Sequence, residues 1–186
     1  MKQLITIITI ALFCAAVSAQ AQKPIKPATS YKQDGMTVVS PNQPGWIKLK
    51  TDKSETAFEK RTESDVLNAG VKTVPTLIFK TDNDRLVTWE ALKNEEFSKF
   101  GQDHLHFNYL KFKGVMCLHY DAFFPLDKIN KFAYFNIRGY LIPLPNTKDS
   151  AVQIEFSDYS NNKGFTEDLH SLAEEFFEKL TLPKQK

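Results

Sequence analysis

Residues 104–121 read HLHFNYLKFKGVMCLHYD. Leu105, Phe107 and Tyr109 alternate with His104, His106 and Asn108, and past Lys113-Gly114 the set Met116, Leu118 and Tyr120 alternates with Cys117, His119 and Asp121. Alternate residues of a strand point to opposite faces, so any two-residue loop puts both apolar sets on one face and both polar sets on the other. This agreement predicts a β-hairpin with one face turned to a core.

A second hairpin follows. Phe132–Leu144 pairs with Ala151–Tyr159 across Pro145–Ser150, with Val152, Ile154 and Phe156 on the inner face. Upstream, Met36–Val39, Trp46–Lys50, Ala57–Arg61 and Val71–Phe79 read as strands, and Pro75 puts the last at an edge or a bulge. Two stretches change period. From Val87 to Phe100 the residues Trp89, Leu92, Phe97 and Phe100 share a helical face. Between Thr166 and Leu180 the stripe is Leu169, Leu172, Ala173, Phe176, Phe177 and Leu180, with Thr166 as N-cap and Glu167 and Asp168 in the first turn. Several phenylalanines (97, 100, 107, 156, 176 and 177) therefore fall on inward faces. The sum is an α+β domain, an antiparallel β-sheet packed against helices in an α/β/α-sandwich-like arrangement.

The first residues, MKQLITIITIALFCAAVSAQAQ, have a basic start, an apolar run from Leu4 to Val17 and small residues at Val17-Ser18-Ala19 and Ala19-Gln20-Ala21. That is the layout of a secretory signal peptide, and the run is shorter than the ~20 residues of a membrane span. We therefore expect a signal peptide over 1–21, a flexible tether over 22–34 (two prolines, three lysines) and one α+β domain over 35–186. The expected address is periplasmic or extracellular, with no transmembrane anchor after cleavage. Removing Lys2 and Cys14 lowers the formal charge from +2 to +1 and leaves Cys117 as the single cysteine. Internal disulfides are then impossible, so stability must come from the 15 phenylalanines, less Phe13, and their neighbours. A charge so close to zero excludes a protein that works by neutralising phosphates, and no nucleic-acid partner is expected.

One constellation carries candidate chemistry. His104 and His106 project from one strand, and His106 faces either His119 or Asp121, depending on which two residues form the turn. Imidazoles beside a carboxylate would suit a divalent metal such as zinc, and an open coordination position could activate water. The plainer reading of His104, His106, His119 and Asp121 is the solvated face of a half-exposed sheet. Cys117 and His119 also share a face, but side chains two apart on a strand stand ~6.5–7 Å apart at their roots, too far for an easy thiolate–imidazole pair. Glu174 and Glu175 diverge by about 100° around their helix and cannot work as a paired acid and base. The sequence contains no Gly-x-Gly-x-x-Gly, no Gly-Lys-Ser/Thr cradle and no Gly-x-Ser-x-Gly elbow.

The run Pro41-Asn-Gln-Pro-Gly-Trp46, the strand Gly114–Cys117 and the ending Arg138-Gly-Tyr140, Val152–Ser157, Ala173–Phe177 resemble uncharacterised exported bacterial proteins. Their order of elements over about residues 36–182 is similar to the PsbP-like fold. The resemblance implies a non-enzymatic accessory or binding domain and supplies no binding residue. The expectation is thus an exported, non-catalytic cell-envelope domain contacting a protein partner or small ligand, with no cofactor. Its rival is a metal-dependent hydrolase built on His104, His106, His119 and Asp121. N-terminal sequencing of the protein recovered from its own cell should begin at Gln20 or Gln22, and a chain still carrying residues 4–17 would contradict the signal-peptide reading.

Overall fold

A strand that alternates strictly needs one apolar cover, whereas one apolar in nearly every position needs two. This distinction organises the computed structural model, which describes residues 23–75, 81–98, 105–127, 130–144 and 150–183. The described elements in chain order are β1 (Ser30–Gln33), β2 (Met36–Val39), β3 (Ile47–Lys48), β4 (Glu55–Arg61), β5 (Val66–Pro75), α1 (Asp82–Ser98), β6 (Leu105–Phe112), β7 (Val115–Pro125), β8 (Tyr134–Pro143), β9 (Ser150–Ser160) and α2 (Glu167–Glu178). The described residues are mostly antiparallel β-sheet with two helices, an α+β architecture.

Seven strands form one sheet in the order β3-β4-β5-β9-β8-β7-β6. The chain lays down β3, β4 and β5, continues through α1 to the far edge, and returns as β6 through β9 until β9 pairs with β5. Both expected hairpins are present. Phe112 pairs with Val115 across Lys113-Gly114, and Tyr134 to Pro143 pairs with Ser160 to Ala151. Lys113 and Gly114 both have positive φ, 49° and 85°, as a type I′ turn demands. A separate two-stranded ribbon, β1-β2, is tied to the sheet by Gln33, whose Nε2 donates to the Ser54 carbonyl at 2.6 Å.

Alternation divides the buried side chains between the two faces of the sheet. One cluster gathers Phe58, Val71, Cys117, Tyr140, Ile142, Val152, Ile154 and Phe156 with Leu172, Ala173, Phe176 and Phe177 of α2. The other gathers Leu118, Tyr120, Phe124, Phe135, Ile137 and Leu141 with Leu86, Trp89 and Phe97 of α1. In β9, residues 152, 154 and 156 belong to the first cluster, while Ala151 and the partly buried Tyr159 belong to the second. Helix α2 starts where its sequence says it should. Thr166 accepts a bond from the Leu169 amide, and Glu167 and Asp168 occupy the first turn.

Four details differ from the sequence reading, each for a local reason. Ser30–Gln33, inside the stretch read as a tether, forms β1, because the positive-φ turn at Asp34-Gly35 folds it onto β2. The strand expected at Trp46–Lys50 shortens to Ile47–Lys48, while Trp46 itself is fully buried and packs edge-on against Phe156 at 6.1 Å. Strand β5 begins at Val66 and is paired with both β4 and β9 as far as Lys72. Val74 and Pro75 run past the end of β4 and pair with β9 alone, so Pro75 does sit at a local edge. Residues 76–79 of the expected strand lie outside the described residues. Its first half, with Asn68, Ala69 and Gly70, lacks the β-branched signature that reveals strands. Helix α1 begins at Asp82 and is rotated from the expected face. Lys93 is fully buried, while Leu92 is 37% exposed.

Phe176 is 2% exposed and contacts Phe58 and Phe177 with ring centroids 6.3 and 6.1 Å away. Truncating a core aromatic removes its transfer energy and leaves a cavity, so Phe176→Ala should lose about 3–5 kcal/mol in denaturant unfolding. A loss below about 1 kcal/mol would place this ring outside the core.

Candidate functional site

The two-residue turn decides the hairpin register. His106 lies opposite Asp121, and His119 lies opposite Asn108 on one side and Tyr140 on the other. His104 falls outside the described residues. The polar face of the hairpin is not simply solvated, because it is the face on which α2 lies. His119 is half-buried with its ring 4.8 Å from that of Tyr140, and its buried Nδ1 has no hydrogen-bond partner among the described residues. Burial first, and the Arg138 charge second, hold its pKa below the ordinary imidazole value. Among the described residues, no group of three or more His, Cys, Asp or Glu side chains is disposed to hold a metal ion. Cys117 is buried, and burial pushes its thiol up to about 11. Its Sγ donates to the Leu110 carbonyl at 3.3 Å. A thiol with that pKa stays protonated at neutral pH and behaves as packing.

What draws this face together is Arg138 of β8. Its Nη2 donates to Asp121 Oδ2 at 3.0 Å, and its Nη1 donates to Glu174 Oε1 at 3.1 Å and contacts the His170 ring. One guanidinium thus joins β7, β8 and α2, and its planar fork suits simultaneous contacts to several acceptors. The guanidinium also lies over the Phe165 ring, 5.8 Å from its centroid, and Phe165 stands edge-on to Phe156 of the core. Around these groups opens a cleft of about 320 Å³, lined by Asp121, Phe123, Asn136, Arg138, Phe165 and His170 among others. His170, in the first turn of α2, is a wall of it. Glu174 and Glu175 diverge as expected, the first to Arg138 and the second to Lys179.

Beneath the cleft runs a buried polar chain that sequence patterning does not reveal. Asn136 Nδ2 donates to Asp158 Oδ2 at 3.2 Å and to the Asn162 carbonyl at 3.0 Å, while Asn136 Oδ1 accepts from the Gly164 amide at 2.8 Å. Gly164 has φ 78°, which favours glycine, and it turns the chain from β9 into α2. The signal in the sequence is a pair of polar residues, Asn136 and Asp158, in register on the face of β8 and β9 that carries Tyr140, Ile154 and Phe156. Buried polar groups of this kind must find partners.

On the opposite face a second interior polar group holds α1. Lys93 Nζ is 3.2 Å from Glu155 Oε1 and 3.2 Å from Glu96 Oε2, and it lies over the Tyr120 ring at 4.6 Å. The Tyr120 hydroxyl donates to the same Glu155 oxygen, and its burial beside that carboxylate raises its pKa well above the ordinary phenol value. Gly139 makes this possible. A Cβ there would stand 2.6 Å from the Tyr120 hydroxyl oxygen and 2.7 Å from the Ile154 carbonyl.

Asp158 is fully buried, and burial raises its pKa from 3.8 to about 6, although its bonds with Ser160 and Asn136 oppose the rise. A carboxyl whose folded pKa is raised contributes stability below its unfolded pKa and loses it as pH climbs through the folded value. Relative to Asp158→Asn, the wild type should therefore lose about 2–3 kcal/mol of unfolding free energy between about pH 4 and pH 7. A constant difference across that range would contradict an uncompensated Asp158 carboxylate.

No protein-family model matches this chain. No curated protein matches it either.

Proposed function

We propose that this chain is an exported, non-catalytic accessory domain of the cell envelope that binds a small polar ligand in the cleft between β7, β8 and the start of α2. The proposal includes the PsbP-like, α/β/α-sandwich reading of its fold. The observation that carries it is the cleft itself. Its volume of about 320 Å³ lies at the lower end of the range for small-molecule sites, about 300–1,000 Å³. An aromatic ring, Phe165, and a convergent set of polar groups line it, the combination such sites use to bury and orient a ligand.

The charges in the cleft favour binding over catalysis. Arg138 is held between Asp121 and Glu174, so neither of these two carboxylates is placed as a free general base. The other acid of the lining, Glu167, is an exposed residue of the first turn of α2. The same engagement weighs against a metal at His106 and Asp121. Arg138 would have to release Asp121 before it could ligate, at the expense of a partly buried ion pair.

Native mass spectrometry of protein recovered from its own cell tests this reading. We expect a small molecule retained at one equivalent. It should be missing from His170→Trp, in which an exposed residue is enlarged to fill the cleft while the melting temperature stays within about 2 °C. Protein free of any retained molecule, or equal retention by His170→Trp, would contradict the proposal. A stoichiometric metal in its place would turn the reading towards the hydrolase.

A further inference from the structure

The balanced total charge hides an uneven distribution. Residues 23–53 hold six lysines and two aspartates, whereas residues 54–186 hold 17 basic and 20 acidic side chains. The fold gathers five lysines around Trp46 and the β1-β2 ribbon. Ile25 donates its amide to the Trp46 carbonyl at 2.8 Å, which sets Lys23 and Lys26 beside Trp46, with Lys48 two residues past it. Gly45, on the other side of Trp46, lies against the stem of Lys60, whose Cε is 3.6 Å from where a Cβ on Gly45 would stand. Lys48 Nζ lies over the Tyr31 ring, 5.5 Å from its centroid, and the next residue of β1 is Lys32.

None of these five lysines makes an ion pair among the described residues. Two of the amines are bonded to neutral oxygens: Lys32 Nζ donates to Thr37 Oγ1 at 2.6 Å and Lys60 Nζ to Gln43 Oε1 at 3.2 Å. Strand alternation moves the nearest acids away. In β4, Phe58 meets Tyr31 of the ribbon and Lys60 shares its face, whereas Glu55, Glu59 and Arg61 face the other side of the sheet, where Glu59 binds Arg61. Asp34 and Asp52 occupy turns and accept from Thr73 and Ser54. Glu63 and Asp65 stand past the end of β4, in the turn to β5. Helix α2, packed on the same cluster as the ribbon, carries five acids and no Lys or Arg. That layer is therefore positive at the ribbon and negative along α2.

The chemistry of this corner favours a lipid surface over a protein. A specific protein interface centres on apolar and aromatic anchors and is poor in lysine. The large apolar side chains exposed among the described residues are Val87, Leu92, Tyr109 and Met116, all on α1 or on the β6-β7 hairpin at the opposite edge of the sheet. Lysine is a compact charge on a flexible stem and lacks the fork with which arginine reads a shaped acceptor. Anionic headgroups in a bilayer present a diffuse field that attracts clustered lysines by charge alone. We propose that this corner docks the domain on a membrane surface bearing anionic lipid headgroups. Attachment is electrostatic and reversible, and the uneven layer turns the ribbon toward the membrane and α2 away from it. This surface goes beyond the ligand cleft and does not depend on it.

The test is flotation of protein recovered from its own cell with phosphatidylcholine vesicles, made with and without about one-third phosphatidylglycerol, at low salt. The protein should float with the anionic vesicles, stay behind with the neutral ones, and be released at about 0.5 M salt, where exposed charges are screened. The pair Lys26→Glu with Lys32→Glu, both at exposed positions, should weaken partitioning about tenfold or more. Lys111→Glu with Lys131→Glu, also exposed, makes the same change in net charge away from the patch and should leave partitioning within about twofold. Should the first pair lower the melting temperature by more than about 2 °C, Lys26→Gln with Lys32→Gln takes its place, with an expected loss of about threefold. Equal binding to neutral vesicles, no binding to anionic ones, salt-insensitive binding, or equal losses from the two variant pairs would each overturn the proposal. So would binding to polyglutamate at least as tight as to anionic vesicles, which would make an acidic protein the occupant.

Discussion

Strand β9 is covered on both faces. Every residue from Ala151 to Asp158 is buried, and a strand so placed is stable only when something apolar closes over each side. The rest of the architecture follows from that requirement. α2 arrives immediately after β9 and covers one face with Leu172, Ala173, Phe176 and Phe177. The other face is covered by α1, placed earlier in the chain, which supplies fewer apolar groups and puts Lys93 in its buried stripe. Glu155, one of the β9 residues facing α1, supplies the counter-charge. A charge buried there would be costly alone and is tolerable as a hydrogen-bonded cluster with Glu96 and Tyr120. The α1 face thus holds together by apolar contact and one interior charge network, whereas the α2 face relies on aromatic packing.

That division also places the candidate cleft. Over β7 and β8, where the apolar stripe of α2 gives way to Arg138, His170 and Glu174, the covered face opens into a cleft. A hub of this kind fixes orientation more than it adds stability, since partly exposed ion pairs are worth at most about 1 kcal/mol each. Strand β6, the first laid down after α1, is one edge of the sheet, three strands from β9, with no strand on its outer side among the described residues.

The legible and illegible parts of the fold divide along physical lines. Both hairpins and α2 could be read because alternation, turn chemistry and capping agree there with tertiary structure. The pairing of His106 with Asp121 was likewise one of two outcomes of simple alternation, and the positive-φ turn at Lys113-Gly114 selected it. Helix α1 departs from its sequence pattern because its buried stripe passes through a lysine, whereas hydropathy alone favours Leu92 over Lys93. The early part of β5 escaped notice because Asn68, Ala69 and Gly70 carry no strand signature, although their neighbours in β4 and β9 bury them. Arg138 is illegible as a hub for a different reason. Its partners lie 17 and 36 residues away in sequence, on β7 and α2. No local periodicity reports such a meeting.

Helix α1 closes its face of the sheet through a charge pair as well as through apolar contact. A double-mutant cycle on Lys93→Met and Glu155→Gln measures that directly by denaturant unfolding. Each single change should lose about 3–5 kcal/mol, because it strands a buried charge, while the double change should lose clearly less than the sum of the two. Additive losses, or single losses below about 1 kcal/mol, would contradict it and leave α1 held by its apolar residues alone.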